Sequence, residues 1–300
     1  MKILLTGSNG LLGQKLVQLL LQQPATEVVA TARGINRLGD LHPGLRFVPL
    51  DVTDAAQVRQ VLAEEQPTHV IHAAAMTQVD ECELHQAACW MQNVTAVEYL
   101  ATACADLGVH LTHLSTDFIF NGKEGPLNEE ALPDPISHYG ASKLAAERVV
   151  QGTPGLRWVI ARTVLVYGTV HGGGRSNIVL WVRDSLRKGQ KIKVVDDQWR
   201  TPTLAEDLAL GCWLLARHSA QGIYHISGRE LLTPYQMAGQ VADFFGLDKA
   251  LLERVDSTTF TQPAQRPLRT GFCIKKAERE LGYQPRSFAE GIALLASQMA

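Results

Sequence analysis

KILLTGSNGLLG, residues 2–13, runs from an apolar stretch into three glycines and then into the helix-periodic segment GQKLVQLLLQQ. Apolar side chains at consecutive positions predict a strand covered on both faces rather than one. Gly7, Gly10 and Gly13 fall between that strand and the helix. Glycine permits a sharp reversal there and lets bare backbone N–H groups approach a pyrophosphate at the positive end of the helix. The turn therefore predicts a nucleotide cradle formed by Gly7, Asn9, Gly10, Leu11, Leu12 and Gly13. Its G-x-x-G-x-x-G spacing differs from the commoner G-x-G-x-x-G fingerprint.

Outward from this turn the same alternation repeats. EVVATA, LRFVPLD, THVIHAAA, VHLTHLST and RWVIART read as strands, and AAQVRQVLAEEQ and NVTAVEYLATACADLG as the helices between them. The pattern predicts an α/β fold, a Rossmann-type doubly wound parallel sheet with a smaller C-terminal substrate-binding lobe. Past residue 168 the alternation loosens through VHGGGRSN, IVLWVRDSLRKG and KIKVVDD. TLAEDLALGCWLLARHS and GIYHIS then read as a helix and strand that return to the main sheet, before a smaller helical cap beyond residue 229. The expected division is 1–168 plus 202–228 for the dinucleotide-binding domain and 169–201 plus 229–300 for the substrate lobe.

With 300 residues, 46% of them hydrophobic, and a net charge of -2, the chain can bury a large core and advertises neither nucleic acid nor membrane as a partner. No apolar run reaches the ~18 residues of a spanning helix, and the start turns polar too early for a secretory segment, so a cytoplasmic location is expected. Five scattered cysteines, none in C-x-x-C spacing, predict buried small apolar residues rather than a disulfide framework. The ten histidines form no ligand-like cluster in sequence, and no metal is expected.

The end of the second strand carries Arg33, with Arg37 close by, where a NAD-specific fold usually offers a carboxylate. A guanidinium there suits a 2'-phosphate, which predicts NADP(H) in preference to NAD(H). Asp51 and Val52 end the third strand beside the expected adenine, and Ala73, Ala74 and Ala75 end the fourth with side chains small enough for a cofactor to lie across them. Asp54 reads as a helix cap.

SHYGASKLAAERV, residues 137–149, sets Tyr139 and Lys143 one helical turn apart on a single face. An ammonium near a phenol stabilises its anion, so the pair can transfer a proton near neutral pH. Ser115 and Thr116 end the fifth strand, where a hydroxyl can hold a carbonyl oxygen against that tyrosine.

TGSNGLLG, STDFIF and YGASK together resemble the extended short-chain dehydrogenase/reductase superfamily, over the whole chain. Within it, AAAMTQVDECE, LSTDFIFNG, ARTVLVYG, VVDDQWRTPT and the late Arg266–Pro267 are similar to dTDP-4-dehydrorhamnose reductases. The resemblance implies reduction of a 4-keto nucleotide sugar by NADPH. Tyr139 would donate the proton, Thr116 would hold the oxygen, and Lys143 would bind the nicotinamide ribose while lowering the tyrosine pKa. It also implies sugar contacts at Thr77, Val79, Thr116 and Asp117, and diphosphate or nucleotide contacts at Arg175, Asn177, Arg200 and Arg266. A homodimer is among the assemblies open to such a chain.

Two departures stand out. Leu165 occupies a position where the resembling reductases often stack a tryptophan, and Lys15 one where some carry a metal-bridging glutamate. The alternatives are epimerase or dehydratase chemistry on the same scaffold, and a non-catalytic NADP-binding regulatory subunit resembling the beta subunit of methionine adenosyltransferase. Dehydratases tend to carry an acid pair beside the catalytic hydroxyl; here Asp117 is followed by Phe118.

Overall fold

A computed structural model describes residues 1–173 and 176–299. The strands are β1 (Lys2–Thr6), β2 (Glu27–Ala32), β3 (Arg46–Pro49), β4 (His69–His72), β5 (His110–Thr116), β6 (Arg157–Thr163), β7 (Val166–Tyr167), β8 (Ile192–Val195), β9 (Thr203–Leu204), β10 (Gly222–His225) and β11 (Leu252–Val255). The helices are α1 (Leu11–Leu20), α2 (Ala55–Glu65), α3 (Val79–Leu84), α4 (Gln86–Trp90), α5 (Ala96–Asp106), α6 (His138–Gly152), α7 (Ile178–Arg187), α8 (Ala205–Arg217), α9 (Pro234–Phe245), α10 (Lys275–Leu281) and α11 (Phe288–Ser297).

Seven strands form one parallel sheet in the order β3-β2-β1-β4-β5-β6-β10, the Rossmann-type arrangement expected from the sequence. The apolar run of β1 serves both faces. Ile3 and Leu5 join the cluster under α1 and α8, while Leu4 joins the opposite cluster under α2, α5 and α6. Chain order reverses between β1 and β4, and at such a switch point the carboxyl ends of the strands open a crevice. Gly7 follows β1 there, Ala73 follows β4, and Thr116 ends the neighbouring β5.

The predicted return of the chain to the sheet is present: β10 pairs in parallel with β6, Ile223 opposite Ile160. A third apolar cluster gathers Tyr167, Val182, Leu204, Met237, Val241, Phe288 and Ile292 from β7, β9, α7, α9 and α11. Beside it β8 and β11 make a two-stranded parallel ribbon. These clusters support the division we propose into two lobes, with one qualification of content. Ile274, Ala277, Leu281 and Tyr283 pack in the cluster under the large sheet, so α10 serves the sheet rather than the cap.

Local signals set the helix ends. The Asp54 carboxylate accepts from Ala56 N and Gln57 N at the head of α2, the role its position predicts. Thr233 with Gln236, and Ser287 with Glu290, form reciprocal capping boxes on α9 and α11. All five cysteines are reduced; Cys273 is half-buried and the others are buried. No described helix is long and apolar enough to cross a membrane. Among the described residues no three His, Cys, Asp or Glu side chains are grouped to hold a metal ion.

Candidate active site

The glycine turn is tight for reasons of space. Gly7 sits at φ +73°, and a β-carbon there would lie 2.9 Å from Ala74 N. At Gly13 a β-carbon would land 2.2 Å from Gly7 O and 2.7 Å from Ser8 Cα, all backbone that cannot swing away. Gly10 is the N-cap of α1, with no side-chain cap and no acidic residue in the first turn. The positive end of α1 therefore meets no carboxylate of its own first turn, and the donor chemistry fits a dinucleotide pyrophosphate.

Asn9 links this turn to the segment after β2. Its Nδ2 donates to Ile35 O at 2.9 Å, and its Oδ1 accepts from Arg37 N at 3.0 Å. Arg33, in the same segment, is exposed. The Asp51 carboxylate is held below its usual range by the Thr53 hydroxyl and N–H and by the Arg33 charge, against the opposing effect of burial. Val52 is 4% exposed and packs in the core, so it presents backbone rather than side chain to the crevice. Ala73, Ala74 and Ala75 are half-buried, Leu12 packs against the sheet cluster, and Leu11 approaches Gly168.

At the other side of the crevice, Ser137 caps α6 by accepting from Gly140 N. Gly140 lets that helix press against the end of β5: a β-carbon would sit 2.1 Å from Phe118 O. This approach brings Tyr139, 7% exposed, beside Thr116. Burial pushes the phenol well above its usual pKa, and the Thr116 hydroxyl, within reach of it, pulls the other way. The lowered tyrosine expected from the adjacent ammonium is thus outweighed by desolvation in the protein alone.

Lys143 is 4% exposed, and burial brings it down to about 8 against the opposing charge of Glu147. Its Nζ lies 3.4 Å from His113 Nε2, and His113 stacks on His72, which shares a 2.8 Å hydrogen bond with Thr6 Oγ1. Burial forces both imidazoles toward the neutral form. A connected set of side chains therefore runs from the residue before Gly7 to the lysine. The contact of His113 with Lys143 has no signal in the sequence: strand register sets His113 beside His72, and the packing of α6 on β5 brings the lysine to it.

Thr116 lies beside Tyr139 and the Asp117 charge acts on the same phenol, while the other predicted substrate residues are dispersed. Arg200 is buried, its guanidinium donating to the carbonyls of Trp199, Pro267 and Leu268 and lying 3.6 Å from Asp117 Oδ2. Arg266 forms a two-pronged ion pair with Asp80, at 3.0 and 2.7 Å. Asn177 caps α7 and donates to Gly168 O at 2.7 Å. Val79 opens α3, Thr77 is exposed, and Arg175 lies outside the described residues. Lys15 pairs with Glu206 at 2.8 Å. Leu165 is 39% exposed at φ +38°, a strained position for a branched side chain.

The chain is 34% identical over 288 residues to a dTDP-4-keto-6-deoxy-D-glucose reductase of Streptomyces niveus, covering 94% of this chain and 91% of that one. It is 31% identical over 261 residues to the methionine adenosyltransferase 2 subunit beta of Xenopus tropicalis, covering 85% and 75%. The structure superposes on the dTDP-4-dehydrorhamnose reductase of Bacillus anthracis solved in complex with NADP, with a TM-score of 0.84, 27% identity and 99% of each chain covered. The model of the RmlD substrate binding domain matches residues 1–300, so the resemblance first seen in the glycine turn, the strand-end threonine and the tyrosine–lysine pair is one of descent: the chain belongs to the RmlD substrate-binding domain family of extended short-chain dehydrogenases/reductases.

Proposed function

We propose that the chain is an NADPH-dependent reductase of a 4-keto nucleotide sugar, with Tyr139 as proton donor. The observation that carries this reading is Tyr139 beside Thr116 at the carboxyl end of the sheet, with Lys143 one turn farther along α6 against His113, across the crevice from a glycine turn whose first helix lacks an acidic cap. Gly7, Asn9, Gly10, Leu11, Leu12 and Gly13 would hold the pyrophosphate, Arg33 a 2'-phosphate, and Asp51, Val52 and Ala73–Ala75 the adenosine side. Bound there, the reduced dinucleotide supplies hydride to a carbonyl carbon.

The residues of the chain then act on the oxygen. A phenol whose pKa is raised by burial is fully protonated at neutral pH, the form that reduction consumes. As negative charge grows on the carbonyl oxygen, Tyr139 delivers its proton and Thr116 fixes the oxygen's place. Lys143, one helical turn beyond the tyrosine on α6, would meet the nicotinamide ribose. A preorganised donor of this kind lowers the barrier by roughly 3–4 kcal/mol. Thr77 and Val79 would line the sugar side in this reading and Arg175, Asn177 and Arg266 are the proposed phosphate contacts, Arg266 exchanging Asp80 for the diphosphate, while Asp117 and Arg200 are taken up by protein partners. The reading also carries a cytoplasmic location and leaves a homodimer to be measured.

The test mixes the protein with NADPH and a panel of 4-keto nucleotide sugars and follows absorbance of the reduced nicotinamide. Turnover in wild type that falls by about 100-fold or more in Tyr139→Phe, with NADPH affinity kept, is the expected result. A second reading, a partner-binding subunit, is favoured by the 31% identity to the methionine adenosyltransferase subunit. NADPH binding without turnover on any ketone, with a larger enzyme co-purifying, would select it.

A further inference from the structure

Thr116 does not aim its own hydroxyl. Its oxygen accepts from Phe118 N at 3.2 Å, and its O–H donates to Asp117 Oδ1 at 3.1 Å. A hydroxyl has one proton, so Asp117 and the Phe118 N–H between them set the direction of the Thr116 rotor beside Tyr139.

Asp117 is fixed in turn from the other lobe. It is 2% exposed. Its second oxygen accepts from the Thr270 hydroxyl and faces Arg200 Nε at 3.6 Å. Arg200 is itself immobilised on three carbonyl groups and feels the charges of Arg266 and Asp197. A lone buried carboxylate would be costly. Here both oxygens have protein partners, and the groups that hold them come from the segments around Arg200 and Thr270, far along the chain from β5.

We propose that Asp117, anchored by Arg200 and Thr270, is the positioning residue that orients the Thr116 hydroxyl beside Tyr139. The proposal rests on the reductase reading above and deepens it. Seating of the second lobe and alignment of that hydroxyl become one event, because the two lobes share this carboxylate.

The experiment is a double-mutant cycle on ketone reduction. Asp117→Asn keeps the shape but can turn an N–H toward Thr116, reversing its rotor. We expect kcat to fall by up to about 100-fold, with KM and NADPH affinity unchanged. In a Thr116→Val background the same change should have no further effect, because its only route to the chemistry has been removed. Losses that multiply in the double variant would overturn the proposal, as would an unchanged kcat in Asp117→Asn. Should Asp117→Asn fail to fold, Thr270→Val, which removes one anchor and keeps volume, takes its place in the same cycle with the same two outcomes. Absence of turnover in wild type would sink the reductase reading itself, whereas turnover with multiplying losses would sink only the role of Asp117.

Discussion

Replacing Lys143 by methionine should stabilise the protein while removing its activity. The side chain is 4% exposed, and its ammonium is packed against His113 of β5 and His72 of β4, both neutral, with Cys82 of α3, Cys89 of α4 and Glu147 of its own helix nearby. An unfolded lysine titrates near 10.5 and this one at about 8, a gap of about 2.5 pH units or about 3 kcal/mol. The sign follows from proton binding. Between pH 8 and 10.5 the unfolded chain holds more protons than the folded one, so stability rises with pH there. Below pH 8 the penalty is complete, and above 10.5 it vanishes.

Lys143→Met keeps most of the stem and carries no charge. Unfolding in urea, followed by tryptophan fluorescence at several pH values, should find the variant about 3 kcal/mol more stable at pH 7 and level with wild type near pH 10.5. Subtracting the two curves removes the titrating groups that do not feel the Lys143 charge. A wild type equal to or more stable than the variant at pH 7, or a difference that does not change with pH, would refute the account. An ammonium retained at such a cost in folding points to selection for what it does in the crevice.

Arg33→Gln should weaken NADPH by about tenfold or more and leave NADH unchanged, since a charged hydrogen bond to phosphate contributes roughly 1.5–3 kcal/mol; equal weakening of both in fluorescence titrations would remove Arg33 from the cofactor site. Gly13→Ala should abolish cofactor binding and lower the melting temperature, because its methyl would lie 2.2 Å from Gly7 O; unaltered affinity would contradict the tightness of the turn. Glu147→Gln leaves the Arg162 guanidinium, now bonded at 2.9 and 2.7 Å, without a countercharge at 2% exposure. The expected loss is about 3–5 kcal/mol in urea unfolding, and a double replacement by apolar residues should recover much of it.

What the sequence disclosed was written in short spacings. Three glycines between a strand and a helix, and a tyrosine four residues before a lysine, need only local geometry to be read. The return of the chain in β10 was also legible, because a helix followed by an apolar strand repeats the pattern of the first half. What stayed hidden joins distant segments. The bond from Thr270 to Asp117 spans 153 residues and that from Arg266 to Asp80 spans 186. β11 is four residues long and acquires its identity only by pairing with β8. Arg200 shows the same limit in chemistry: a guanidinium suits phosphate, yet burial among backbone carbonyls gives its donors other partners first. The phenol illustrates it in energy, since an adjacent cation is visible in sequence and the depth of burial is not.

The large sheet is completed late, by a strand made only after the chain has left for β7, β8 and β9 and come back. Neither half of the molecule is thus a single uninterrupted stretch of coding sequence. Trading the sugar-selecting part between two relatives would need several splices rather than one crossover, and a fragment stopping after β6 would leave the edge of that strand bare. Diversification of such a scaffold is steered toward point changes around the crevice, with wholesale exchange of modules disfavoured.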